Sequence, residues 1–156
     1  MNFIKTLFFL LLFPTLGFSQ NIVFIGENSY SSTDTYEFMN DENPVFVSFL
    51  KSNEGILISL KQKDYLEHEN PRIDGKIMVY LDNGKVLKIN APTVVDFVDS
   101  KMNSIYLLSK EDIDNVKVSN INSIRFTRID KYDVKRDRIA KNSYYDTTSL
   151  LNNFFN

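Results

Sequence analysis

Two stretches of alternating apolar residues, each folding back on itself across a short polar turn, constrain this chain more than any other feature. Ile77, Val79 and Leu81 precede Asp82-Asn83-Gly84, and Leu87 and Ile89 follow it. A side-chain period of two belongs to a strand with one buried face, and Asn-Gly between two such strands signals a hairpin. A two-residue Asn83-Gly84 loop would set Val79 against Lys88 and Ile77 against Asn90. A three-residue Asp82–Gly84 loop sets Val79 against Leu87 and Ile77 against Ile89. The second keeps apolar residues together and is predicted, with Gly84 at positive φ in a bulge. Upstream, Val45, Val47 and Phe49 are separated from Ile56, Ile58 and Leu60 by Ser52-Asn53-Glu54-Gly55. A four-residue loop there opposes Phe49 to Ile58 and Val47 to Leu60 on one face.

Other segments read as follows. Asn21–Ile25 is a short first strand, Gly26–Thr35 a Ser/Thr-rich loop, and Tyr36–Met39 an edge strand before the Asn40–Pro44 turn. Lys61–Gly75 is an exposed connection with turn pairs Asn70-Pro71 and Asp74-Gly75. An irregular strand lies within Ala91–Lys101, and Ser104–Leu108 is a further strand. Ser109 is a helix N-cap for a two-turn helix near 110–117, with Glu111 and Asp112 at its positive end and Ile113 and Val116 facing the core. Ile121–Ile129 is the last long strand. Ile124 and Phe126 share a face while Ile121 and Ile129 fall on the opposite phase, as a bulge or two-sided burial would require. Asp130–Asp137 reads as charged loop and Arg138–Asn142 as a short edge strand. Asp146 caps a C-terminal helix near 147–155, whose Leu150, Leu151, Phe154 and Phe155 form a stripe. The fold class is α+β, mostly β: one antiparallel sheet system, a sandwich or an open barrel, with two helices.

The N-terminus has the three parts of a secretory signal. Lys5 gives the short n-region its charge, Leu7–Phe13 is an unbroken apolar run, and Pro14 ends it. Gly17 and Ser19 are the small residues at −3 and −1 of a cut after Ser19. A retained anchor would need roughly 20 apolar residues, far more than Leu7–Phe13. Residues 1–19 are therefore expected to be a signal peptide and 20–156 one exported domain, periplasmic or secreted, with no membrane span after cleavage. No cysteine follows the cut, so lipidation there is excluded. The chain has 18 basic and 20 acidic residues and no cysteine at all. Near-neutral charge gives no reason to expect nucleic acid as a partner. A cysteine-free exported domain has no disulfides, thiolate nucleophile or thiolate metal site, so its stability comes from its core.

Lys76–Val86 (KIMVYLDNGKV), Ile105–Ile113 (IYLLSKEDI) and Ile121–Phe126 (INSIRF) together resemble a loose group of small exported bacterial envelope proteins of unknown function, as does the Gly17-Phe18-Ser19-Gln20 ending of the signal. The resemblance implies a β-rich exported domain and carries over no catalytic or binding residue.

Chemistry is sparse. His68 is the one histidine, and any imidazole base or Ser-His-Asp triad would need it. It stands in Glu67-His68-Glu69, where alternate side chains of an extended segment point apart, and a solvated loop explains it. Asp112–Lys117 imitates the start of a calcium loop, but Lys117 stands where glycine is needed. Five glycines spread along the chain write neither a P-loop nor a dinucleotide fingerprint. A glycosidase would need two convergent acids. Among twenty acidic residues, Asp96 and Asp99 have the least structural work. No catalytic residue, metal site or cofactor is assigned.

The remaining surface candidate is the basic, aromatic C-terminal third: Arg125, Arg128, Tyr132, Lys135, Arg136, Arg138, Tyr144 and Tyr145. Interspersed Asp130, Asp133 and Asp137 suit a solvated face, and an anionic glycan or headgroup is the alternative client. Tyr30, Tyr36, Tyr65, Tyr144 and Tyr145 are the aromatic anchors to consider. The expected function is a non-enzymatic envelope domain binding a protein or glycan. A small carboxylate-based hydrolase and a structural envelope component are the alternatives.

Overall fold

The computed structural model describes residues 21–63, 71–98, 100–130 and 132–155. Among these described residues eleven strands and two helices follow one another: β1 (Asn21–Ile25), β2 (Asn28–Ser32), β3 (Tyr36–Phe38), β4 (Val45–Lys51), β5 (Ile56–Lys63), β6 (Arg72–Leu81), β7 (Val86–Ile89), β8 (Val94–Val98), β9 (Lys101–Leu107), α1 (Lys110–Val118), β10 (Ile121–Ile129), β11 (Lys135–Lys141) and α2 (Thr147–Phe155). A seven-stranded sheet has the order β1-β2-β4-β5-β9-β8, with β3 also on β4, and a four-stranded sheet has the order β11-β10-β6-β7. All pairings are antiparallel. The fold is mostly β, with a curled half-barrel and the expected C-terminal helix.

Both hairpins have the registers that apolar matching demands. Phe49 faces Ile58 and Val47 faces Leu60. Val79 faces Leu87 and Ile77 faces Ile89 across the Asp82–Gly84 loop, with Gly84 at φ 84°. These side chains meet in one core between the sheets, joined by Tyr106, Ile124 and Phe126 and by Val116 and Leu151 from the helices. Ser109 caps α1 as expected. Its hydroxyl accepts from the Asp112 N–H while the Asp112 carboxylate accepts from the Ser109 N–H, a reciprocal capping box.

Bulges settle the phase conflict in Ile121–Ile129. The register of β10 on β6 shifts between Ile121 and Ser123 and again between Arg125 and Thr127. Ile121, Ile124, Phe126 and Ile129 are all buried as a result. The partner irregularity falls at Gly75, at φ 73°. Asp74-Gly75 is therefore a bulge inside β6, where the sequence suggested a turn. The first residues of β6 consequently lie beside β9, where the Ser104 hydroxyl donates to the Ile73 carbonyl at 2.6 Å.

Other expectations are corrected. Gly26–Thr35 contains β2, because Gly26 at φ 58° lets the chain reverse in two residues so that Ile25 pairs with Asn28. Thr33 continues the pairing onto β4, donating its N–H to Phe49 O and accepting the Phe49 N–H at its hydroxyl. The last strand starts at Lys135 instead of Arg138, because a tight turn at Asp130–Val134 replaces the long loop. Met39 and Lys141 exchange two backbone bonds, tying the seven-stranded sheet to β11. The expected connection Lys61–Gly75 shrinks, since β5 extends to Lys63 and β6 begins at Arg72. Residues 64–70, including His68 and Tyr65, lie outside the described residues, as do residues 1–20, Asp99 and Lys131.

Candidate functional site

The seven-stranded sheet buries apolar residues on both faces. Opposite the main core, Ile25, Leu50, Leu57 and Ile105 form a second cluster, with Val23, Tyr30 and Val94 packed against it. Strands β2 and β8 are separated in the sheet by β4, β5 and β9, a flat-sheet distance of about 19 Å at ~4.8 Å per step. Yet residues of β2 and β8 line one cleft of about 400 Å³. The sheet curls around this second cluster, and the cleft opens at its end.

Leu57 and Ile105 make the apolar floor of the cleft, each almost wholly buried. Asn28, Ser29 and Tyr30 on β2 form one wall, the Lys51–Glu54 turn a second, and Thr93 and Val94 the third. Thr93 and Ser52 are held in place by donating their hydroxyls to the carbonyls of Ile105 and Gly55. Among the described residues, the side chains of Asn28, Tyr30, Lys51, Asn53 and Glu54 make no hydrogen bond or ion pair. The cleft thus offers a small apolar floor beneath a largely polar rim that the protein itself does not engage. Among the described residues Glu54 is the single carboxylate in its lining.

The basic C-terminal third is arranged differently. Arg128 and Arg138 lie on the core-facing side, Arg138 opposite Phe126 and Arg128 two pairs along. Glu42, from the turn after β3, reaches both: its Oε2 is 2.7 Å from Arg128 Nη1, and its Oε1 accepts from Arg138 Nη2. Burial by itself raises the Glu42 pKa, but the two guanidiniums outweigh it and hold the carboxyl below its usual range. Arg125 pairs with Asp137, and Arg136 with Asp130 at 3.4 Å. The Asp137 carboxyl is held low first by the Arg125 hydrogen bond and then by that of Thr127. Lys135 is exposed, and Tyr132 is exposed in the turn before it. Four of the cations are thus matched by carboxylates.

Tyr144 and Tyr145 separate. Tyr144 is 88 % exposed, whereas Tyr145 packs on Tyr36 with ring centroids 5.3 Å apart. Tyr36, considered above as an exposed anchor, is buried in the main core, because the strand alternation of β3 turns it inward with Phe38. The two C-terminal tyrosines border a second cleft of about 360 Å³ with Asp82, Asn120, Asn122, Asn142 and Asp146. These polar groups already serve the fold. Asn142 accepts from the N–H groups of Tyr144 and Tyr145 and donates to the carbonyls of Ile121 and Tyr145. Asp146 caps α2, accepting from the Ser149 hydroxyl and N–H, which hold its carboxyl below the usual range. A glycosidase acid must stay protonated, so Asp146 is tuned away from that role. Asp96 accepts from the N–H of its neighbour Phe97 and sits beside Arg72 and Val95 in a shallow surface depression.

Sequence reasoning singled out Tyr30 but not its cleft. The lining comes from five separated segments that only the curl unites. Among the described residues no helix is long and apolar enough to cross a membrane. No family model, curated protein or solved structure matches the chain.

Proposed function

We propose that this is an exported, non-enzymatic binding domain whose cleft at the β2–β5–β9 surface takes a glycan of the cell envelope. The observation that carries the reading is the apolar Leu57–Ile105 floor beneath a rim of Asn28, Tyr30, Lys51, Asn53 and Glu54 that the protein leaves without hydrogen-bond partners. A pyranose ring has an apolar C–H face and a circumference of hydroxyls. Tyr30 and the aliphatic floor suit the first, and amides and charged groups suit the second. The signal-like segment 1–19 supports export, which brings the domain to such polymers.

Retention on purified peptidoglycan sacculi, chitin and cross-linked dextran tests this. At least one polymer should retain the chain, and Tyr30→Ala should weaken retention by about tenfold or more, a loss of ~1.4 kcal/mol. The retained protein should begin at Gln20. Equal retention of Tyr30→Ala, or passage of the unaltered chain through all three, contradicts the reading. Release of reducing ends would favour the carboxylate hydrolase instead.

A further inference from the structure

Among the described residues no strand pairs with the outer edge of the seven-stranded sheet, that edge is self-complementary, and we propose that it joins two copies of this chain. Among the described residues β1 pairs only with β2, and no described strand lies on its other edge. Natural edges are blunted by lysine, proline or a bulge. The β1 sequence Asn-Ile-Val-Phe-Ile has none of these, and Ile22 and Phe24 are 62 % and 75 % exposed.

The hairpin turn dictates which backbone groups face outward. In a two-residue loop the flanking residues, here Ile25 and Asn28, exchange both hydrogen bonds, and bonding then alternates along the ladder. Ile25, Val23 and Asn21 therefore bond to β2, while the N–H and C=O groups of Ile22 and Phe24 point to the open side. A two-fold axis through Val23 sets Ile22 of each copy opposite Phe24 of the other. That register joins outward groups to outward groups, forms four N–H···O=C bonds and covers all four exposed apolar side chains on one face. An axis at Ile22 would set Phe24 opposite residue 20, and one at Phe24 would set Ile22 opposite Gly26, so the axis through Val23 is the one that pairs all four apolar residues with apolar partners. An isologous contact of this kind closes as a dimer and does not propagate. Because the interface is one strand wide, a micromolar Kd is expected. If the cleft is the ligand site, the dimer carries two of them on one continuous sheet, since β2 supplies a wall of each. The dimer itself needs no ligand, so its test is independent of that reading.

Sedimentation equilibrium of the protein as purified from its host should show a reversible dimer. Phe24→Lys should weaken it by at least about 100-fold. Val118→Lys, at a 74 % exposed position on α1, should leave it intact. The chain has no cysteine, so Val23→Cys gives a clean second readout. The paired Val23 positions would lie opposite each other, and mild oxidation should yield a covalent dimer, whereas Asn28→Cys should not. A monomer at about 200 µM, some two decades above a micromolar Kd, overturns the proposal. So does an unaffected Phe24→Lys dimer, or failure of Val23→Cys to cross-link. Should Phe24→Lys fail to fold, the Val23→Cys and Asn28→Cys pair decides.

Discussion

Phe126→Ala should lower unfolding stability by about 3–5 kcal/mol, the range for emptying a large aromatic site in a closed core. Phe126 is 1 % exposed. It lies on β10 at the register shift between Arg125 and Thr127, in contact with the core that both sheets and both helices share. Neighbours anchored in two sheets cannot collapse into the space, so the cavity term adds to the lost transfer energy. A domain of this size has about 5–15 kcal/mol in total, so the variant should be close to unfolding at 37 °C. Ile139→Ala on the adjacent strand is the control. That side chain is 49 % exposed, and its loss should shift the urea midpoint little, within about 0.5 kcal/mol. Similar midpoints for the two variants would mean that Phe126 does not face the main core.

Glu42→Gln should cost about 1–2 kcal/mol near pH 7, because it leaves two adjacent guanidiniums with a neutral partner. Glu42 keeps some solvent contact, with 37 % of its side chain exposed, so the figure is set below that of a fully buried pair. The pH dependence follows in sign. The folded pKa of Glu42 is depressed below the unfolded value of about 4.3. Its stabilising contribution is therefore fully present above that value and is lost as pH falls through the folded pKa. Urea denaturation from pH 7 to pH 3 should show the curves of the unaltered chain and of Glu42→Gln converging in acid. A constant gap across that range would assign the effect to shape instead of charge.

Hairpin registers were legible in the sequence because local chemistry decides them. Loop length and apolar alternation leave one pairing around Asp82–Gly84 and one around Ser52–Gly55. The caps at Ser109 and Asp146 are equally local. β2 was hidden because its one large apolar residue is Tyr30, and its serines satisfy the backbone pattern of a loop as readily as that of a strand. What betrays it is Gly26 directly after Asn21–Ile25, a two-residue turn that requires a returning strand. The pairing of Arg128 and Arg138 with Glu42 spans more than 80 residues of chain. No spacing within Arg125–Lys141 could disclose it, so a basic run on paper is, in the fold, ion-paired to the turn after β3. The cleft was the least legible feature, since curvature of a seven-stranded sheet is a property of the whole sheet and of no single segment.

The proposal that matters most is that the unengaged rim over Leu57 and Ile105 receives a ligand. Amide chemical-shift mapping of the ¹⁵N-labelled chain, titrated with soluble fragments of whichever polymer retains it, tests that directly. Shifts should concentrate at residues 28–30, 51–54, 57, 93–94 and 105, with the Asp82–Asp146 cleft silent. Shifts centred on Asn120, Asn122 and Tyr144, or spread along Arg125–Lys141 and abolished by salt, would contradict it.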